Sequence, residues 1–329
     1  MTNNKENYKG TITVTDKGIR LDIFLCQHFN FLSRTKIKHF ILNNKILIND
    51  KQESPSFILK GEEKINYNFS MSNSITNIIS ENINLDIIYE DDYLVVINKP
   101  SGLVVHPGNG IENGTLVNGL SYHFSKLSSI NKISPGIVHR LDKETSGVIL
   151  IAKDDYTHWK LSKQFEERTI KKVYRALVWG NIKHSGIIQG SIIRDRNNRT
   201  KFKLGSENKG RFSESKFKKI DYFAPLSYVE IHPKTGRTHQ IRVHLESISH
   251  PIICDSTYGG GLKRIKSYHM KYNKILKLVI NSINRVALHA YSIEIIHPKT
   301  LKKIKFISPI PNDFISILNI LKESLDVKN

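Results

Sequence analysis

Short apolar runs alternate with polar turns along most of the chain, a rhythm that predicts strands more often than helices. Residues 94–97 (LVVI), 148–151 (VILI), 173–179 (VYRALVW) and 228–232 (YVEIH) have strand length and lie beside turn-forming residues. They read as buried strands, as do residues 285–290 and 293–297. Helical spacing of apolar positions appears instead at residues 20–25, 33–41, 116–124 and 158–168, and again from Asp313 onward. Residues 239–245 (HQIRVHL) fit period two. As a strand they would put His239, Ile241 and Val243 on one face and Gln240, Arg242 and His244 on the other.

The same pattern divides the chain. Residues 1–16 are polar and predict a flexible end, with a short strand at 11–14. Residues 17–75 form a compact module, 76–83 close a Ser/Asn-rich linker, and 84–329 make a larger domain. In the module, Ser33 is placed to cap a helix whose inner side carries Ile37, Phe40 and Ile41. Arg34 and Lys38 are i,i+4 neighbours on another side. That cationic face fits phosphate contact and a merely solvated surface equally well.

The most informative stretch is residues 136–153, GIVHRLDKETSGVILIAK. Apolar runs flank a polar turn, so Asp142 is predicted where a core strand ends. Arg140, two residues earlier, would share its strand face and could line the same cleft. An ordinary turn, with Asp142 bonding nearby N–H groups, is the competing reading of these residues taken alone.

Composition narrows the classes. With 329 residues and 39% hydrophobic content, the chain can bury a substantial core and is not globally disordered. Cys26 and Cys254 are far apart and in no metal-type spacing, which predicts a reducing compartment. The N-terminus lacks the apolar core of a signal peptide, and no apolar run reaches bilayer length, so a soluble cytoplasmic protein is expected. The net charge of +20 predicts a polyanionic partner, nucleic acid before membrane. Some of that charge reflects a chain heavy in Lys, Ile and Asn. The histidines of residues 239–244 have no Cys or carboxylate cluster of zinc spacing beside them. Residues 255–262 (DSTYGGGL) lack the Lys-Ser/Thr of a phosphate-binding loop. Residues 194–211 form a strongly basic surface loop or hairpin able to touch phosphates.

The segments HRLDKETSG, KKVYRALV, KTGRTHQIRVHL and ALHA, in this order, resemble the RluA-type family of pseudouridine synthases, from about Leu85 to the end. RLD, SRTKIKHFIL, NNKILIND and LKGEEKI resemble the S4 family of RNA-binding modules. The joint resemblance implies an α+β protein: a small S4-like α/β domain, then a catalytic domain on a mixed, largely antiparallel sheet with flanking helices and a central cleft. It implies isomerisation of uridine to pseudouridine without cofactor or metal. The partner implied is large-subunit (23S) ribosomal RNA or a pre-50S particle, with clustered uridines of the helix 69 hairpin as target. A monomer is expected.

The resemblance makes Asp142 the catalytic carboxylate, Tyr174 the tyrosine stacked on the uracil, and Arg242 the arginine paired with the Asp. Arg140 would fill the space left by the flipped base, and Leu288 would pack on the base. Arg237, after Thr-Gly, reads as a phosphate or surface residue, and Arg34 and Lys38 as RNA contacts of the S4-like face. The rival reading is a non-catalytic S4-type rRNA-binding protein. A protein kinase, suggested superficially by HRLD, is excluded by the missing Gly-rich loop and DFG.

Overall fold

The computed structural model describes residues 5–29, 32, 34–72, 78–108, 110–195, 198, 200–206 and 210–326. They fall into two compact units, 1–77 and 78–329.

The first unit packs two helices, α1 (Leu21–His28) and α2 (Arg34–Leu42), on an antiparallel sheet. The sheet comprises β1 (Lys5–Thr13), β2 (Ile46–Ile48) and β3 (Lys64–Ser72) in the order β1-β3-β2. Leu21, Leu25, Ile37, Ile41, Ile46 and Ile65 are buried between the layers, and the Phe40 and Phe69 rings stack at 4.5 Å. The segment expected as a loose end is thus a strand over Lys5–Thr13, paired with β3 through its backbone. Backbone pairing needs no apolar run, so polar residues concealed it. The cap assigned to Ser33 lies outside the described residues.

The second unit is built on a ten-stranded sheet. Its chain order is β4 (Ile87–Glu90), β5 (Leu94–Lys99), α3 (Leu116–His123), β6 (Ser146–Ala152), α4 (Asp155–Glu166), β7 (Lys171–Trp179), β8 (Ser185–Arg194), β9 (Phe202–Gly205), β10 (Arg211–Phe223), β11 (Leu226–Pro233), α5 (Gln240–Ser247), α6 (Asn273–Ser282), β12 (Leu288–Ile296), β13 (Lys303–Ile307) and α7 (Asn312–Asp326). Strand order is β4-β5-β6-β12-β7-β11-β10-β8-β9, with β13 paired to β12. The α+β class and the mixed, largely antiparallel sheet expected from the sequence are both present. The parallel contact is β6 with β12, where His289 faces Ser146 and Ala290 faces Gly147. β6 is buried at every position, as its unbroken apolar run requires.

Two expectations are corrected. Residues 239–245 are not a strand: α5 begins at Gln240, after His239 in a left-handed conformation (φ 55°). Gln240 holds this start. Its Oε1 accepts from Thr235 Oγ1 (2.6 Å) and Arg237 N (3.0 Å), while its Nε2 donates to Glu214 O and Ser215 Oγ (both 3.0 Å). Tertiary hydrogen bonds therefore override the local alternation. Likewise the residues before Asp142 are a loop, not a strand, tied to β6 by a bridge from Ile137 to Ile151 and by Leu150 N donating to His139 Nε2 (2.9 Å).

Candidate active site

Asp142 sits in the loop that leads into β6, and that loop is pinned on several sides. Leu141 is buried in the core beside it. Gly102 N donates to Lys143 O (2.8 Å), and Ser101 Oγ donates to Glu144 O (2.8 Å). Beneath lies Lys99, fully buried, whose ammonium donates to the carbonyls of Pro100 (2.8 Å), Leu103 (2.9 Å) and Lys143 (3.3 Å). Burial drives Lys99 down to about 7, against the upward pull of the Asp142 carboxylate. The carboxylate is thus carried on a stiff support rather than a free loop.

Arg242 reaches it from α5. Nη1 donates to Asp142 Oδ2 at 3.2 Å, leaving Oδ1 with no bond among the described residues. The rest of the guanidinium is held by Asp255, through Nε (2.7 Å to Oδ2) and Nη2 (2.9 Å to Oδ1). Asp255 is fully buried and also accepts from Tyr258 N (3.2 Å). Burial works against the Arg242 charge, but the Asp255 hydrogen bonds outweigh it and raise its affinity for the proton. The Tyr258 ring lies under the guanidinium at 4.9 Å. One cation therefore spans two carboxylates, firmly on the buried one and by a single N–H on Asp142.

His239 completes this wall. Its Nε2 is 3.8 Å from Asp142 Oδ2, and its Nδ1 is 2.9 Å from the Tyr258 hydroxyl. Phe202 N already donates to that hydroxyl (3.0 Å), so the hydroxyl proton is free for Nδ1. This arrangement favours the tautomer with N–H on Nε2, toward Asp142. Burial lowers the His239 pKa in spite of the Asp142 charge.

Tyr174 projects from β7, between Ile231 of β11 and Ala290 of β12. Burial and the neighbouring Asp142 charge push its phenol upward, so it carries its proton at neutral pH. A cavity of about 140 Å³ joins these groups: Asp142, Tyr174, Arg242 and Leu288 line it, with Arg140, Arg237 and His239 around them. Leu288, at the start of β12, is 3% exposed and supplies an apolar wall. Arg140 is exposed, its Nη1 donating to His106 Nε2 at 3.1 Å. Arg237 is partly buried, with Nε donating to Phe212 O at 3.2 Å.

Residues 142, 174, 242, 288, 140 and 237 are thus brought together. Arg34 and Lys38 belong to the first unit, where both face the buried carboxylate of Asp22, at 2.9 and 3.8 Å. Their charge is partly spent inside that unit. Lys99, Asp255 and His239 were missed as site residues. The available signals were a Lys ending an apolar strand before Pro100 and a carboxylate directly after Ile252-Ile253-Cys254. Among the described residues no cluster of three or more His, Cys, Asp or Glu could hold a metal ion, and no helix is long and apolar enough to cross a membrane.

A carboxylate with one free oxygen, a guanidinium, a protonated phenol and an apolar wall around a small cavity suit attack on a planar, polar ring system. Comparison with known proteins gives the class. The sequence profile of the family described as RNA pseudouridylate synthase matches residues 93–247. Two solved human proteins share the fold. RNA Pseudouridylate Synthase Domain Containing 4 aligns with TM-score 0.56 and 25% identity over 72% of this chain and 93% of its own. Domain Containing 1 aligns with TM-score 0.55 and 23% identity over 75% and 96%. The chain belongs to the RluA-type family of RNA pseudouridine synthases and is an isomerase.

Within that family it is closely related to ribosomal large subunit pseudouridine synthase D. It is 37% identical to that protein of Neisseria meningitidis serogroup B over 312 residues, 95% of this chain and 81% of the relative. For Buchnera aphidicola subsp. Schizaphis graminum the figures are 38% over 309 residues, 93% and 95%. For Blochmanniella floridana they are 36% over 319 residues, 95% and 97%.

Proposed function

We propose that this protein converts specific uridines of large-subunit (23S) ribosomal RNA to pseudouridine, with the clustered uridines of the helix 69 hairpin as target and Asp142 as the catalytic carboxylate. It would work in the cytoplasm as a monomer, on rRNA or a pre-50S particle, and so support ribosome assembly. The relatives' names support the RNA class, and residues 17–75, within the first compact unit, are proposed as an S4-like RNA-binding domain.

The reaction breaks the C1′–N1 glycosidic bond, rotates the uracil, and joins C5 to C1′. C5 then gives up its proton, and N1, freed from the sugar, takes one up, so that the atoms balance as an isomerisation. A uridine stacked in a helix must first be extruded, which costs a few kcal/mol. Arg140 is proposed to fill the vacancy, since its planar guanidinium both stacks and donates hydrogen bonds. Tyr174 and Leu288 would hold the uracil, limiting its escape and the entry of water. Asp142 would act through Oδ1, the oxygen not engaged by Arg242, with Arg242 fixing its orientation. The Tyr174 hydroxyl stands ready to pass a proton to or from the ring.

The observation that carries this reading is the shared cavity of Asp142, Tyr174, Arg242 and Leu288, which come from four separate parts of the chain. The test is tritium release from C5-labelled uridine in large-subunit rRNA fragments, with Asp142→Asn in parallel. Wild type is expected to release tritium, and the variant to bind RNA without release. Binding without release by wild type on every fragment would favour a non-catalytic RNA-binding protein.

A further inference from the structure

Beside the nucleoside cavity lies a larger one, of about 500 Å³. The two share Arg140, Lys172, Tyr174, Thr235, Gly236 and Arg237 as walls. The larger one adds Arg168 and Lys234, while its only carboxylate among the described residues is Glu166. Two of the cations have partners elsewhere: Lys234 faces Glu214 at 3.5 Å, and Arg140 donates to His106.

The other three have no carboxylate partner among the described residues. Lys172 Nζ donates to Thr235 O at 3.2 Å, and Arg237 Nε to Phe212 O at 3.2 Å. Arg168 is exposed at the rim, in a left-handed turn after α4 (φ 60°). Burial and the Arg237 charge drive Lys172 down to about 8. Burial, then Arg211 and Arg168, lower Arg237. Like charges gathered in a partly dry cleft oppose folding unless an anion answers them.

Position supplies the ligand's identity. Lys172 precedes Tyr174 by two residues on β7, so both side chains leave the same face, with their Cα atoms roughly 7 Å apart. Gly236 presents no side chain toward Nζ, which leaves that approach open. A nucleotide base and its phosphate are likewise separated by one ribose. We infer that the second cavity seats the backbone phosphodiester next to the extruded uridine, held by Lys172 and Arg237 with Arg168 at the rim. This rests on the reading that the first cavity receives that uridine. Anchoring the phosphate favours the extruded nucleotide over the stacked one, so the seat contributes to binding of the flipped state.

The experiment is a charge-deletion cycle measured as binding to a helix 69 hairpin. One phosphate at a time is replaced by an uncharged methylphosphonate, and the protein is wild type, Lys172→Gln or Arg237→Gln. In wild type, the methylphosphonate beside the target uridine is expected to weaken binding roughly tenfold, the size of one charge-assisted hydrogen bond. Lys172→Gln should weaken the unmodified hairpin similarly and lower the salt slope by about one phosphate contact. At that one position the two losses should not multiply, while at distant phosphates they should.

Multiplying losses at every position for both variants would overturn the seat and leave a diffuse cationic surface. Occupation of the cavity by millimolar inorganic phosphate, with no position-dependent coupling, would assign it to a free anion and equally overturn the proposal. Arg237→Gln, on the turn before α5, and Lys172→Arg, which keeps the charge and should restore the coupling, guard against a Lys172→Gln variant that folds poorly. Binding is read without turnover. Wild type that shows the coupling yet forms no pseudouridine would therefore refute the substrate reading alone.

Discussion

Replacing Asp255 by Asn should damage both stability and catalysis, although Asp255 does not line the cavity. The substitution keeps shape and one acceptor for Tyr258 N but removes the charge that takes two of Arg242's hydrogen bonds, at 2.7 and 2.9 Å. The pair is nearly dry, with side-chain exposures of 10% for Arg242 and 1% for Asp255. Removing one partner of such a pair typically costs ~3–5 kcal/mol, and the acceptor that Asn retains places this case near ~3 kcal/mol. Arg242 would then be held by one bond to Asp142, at 3.2 Å, and by the Tyr258 ring. Freed from its anchor, the guanidinium can shift, and a displacement near ~1 Å at a positioning group can cost about 100-fold in rate. Urea unfolding followed by fluorescence of the buried Trp179 measures the first effect, and single-turnover isomerisation the second. Stability within ~1 kcal/mol of wild type together with a rate within about threefold would refute the bridging role, being smaller than a broken buried pair allows.

Other perturbations give equally definite outcomes. Gly147→Ala should unfold the second unit or cost at least ~3 kcal/mol, because φ is +119° and a Cβ would fall inside the Ala290 carbonyl; a normal urea midpoint would contradict the close approach of β6 and β12. His244 and His289 are fully buried, and burial lowers both to about 4. Each is neutral in the folded protein but titrates near 6.5 when unfolded, so its contribution is present above pH 6.5 and is lost as pH falls toward 4, by about 2 kcal/mol per histidine at pH 5 as a ceiling. A urea midpoint unchanged between pH 7 and pH 5 would count against this. Deleting residues 1–75 should weaken rRNA binding and flatten its salt dependence without removing turnover, and an unchanged salt slope would argue against an RNA role for that unit.

The sequence disclosed elements whose own residues determine them. β5, β6, β7 and β11 are apolar runs between turns, and the family resemblance singled out Asp142, Tyr174 and Arg242, which line one cavity in the structure. It failed where distant groups decide. The start of α5 depends on Gln240 bonding to Glu214 and Ser215, some 25 residues away, so period two in HQIRVHL pointed to the wrong element. β1 exists because β3 accepts its backbone, which side-chain polarity cannot reveal. Asp255 looked like one acid in a Gly-rich turn, and only the fold places it against Arg242. Lys99 ended an apolar strand, but its three carbonyl partners lie in turns that the strand pattern says nothing about.

The parallel junction of β6 with β12 makes the enzyme a late product of its own synthesis. Asp142 rides on the entrance to β6, while the strand that flanks it begins only at Leu288. A nascent or proteolysed chain ending before that point carries the acid, the tyrosine and most of the positive charge, yet lacks the central strand that closes the pocket. Such fragments are expected to bind RNA without altering it, because the cavity is completed only when Leu288 and the rest of β12 join the sheet.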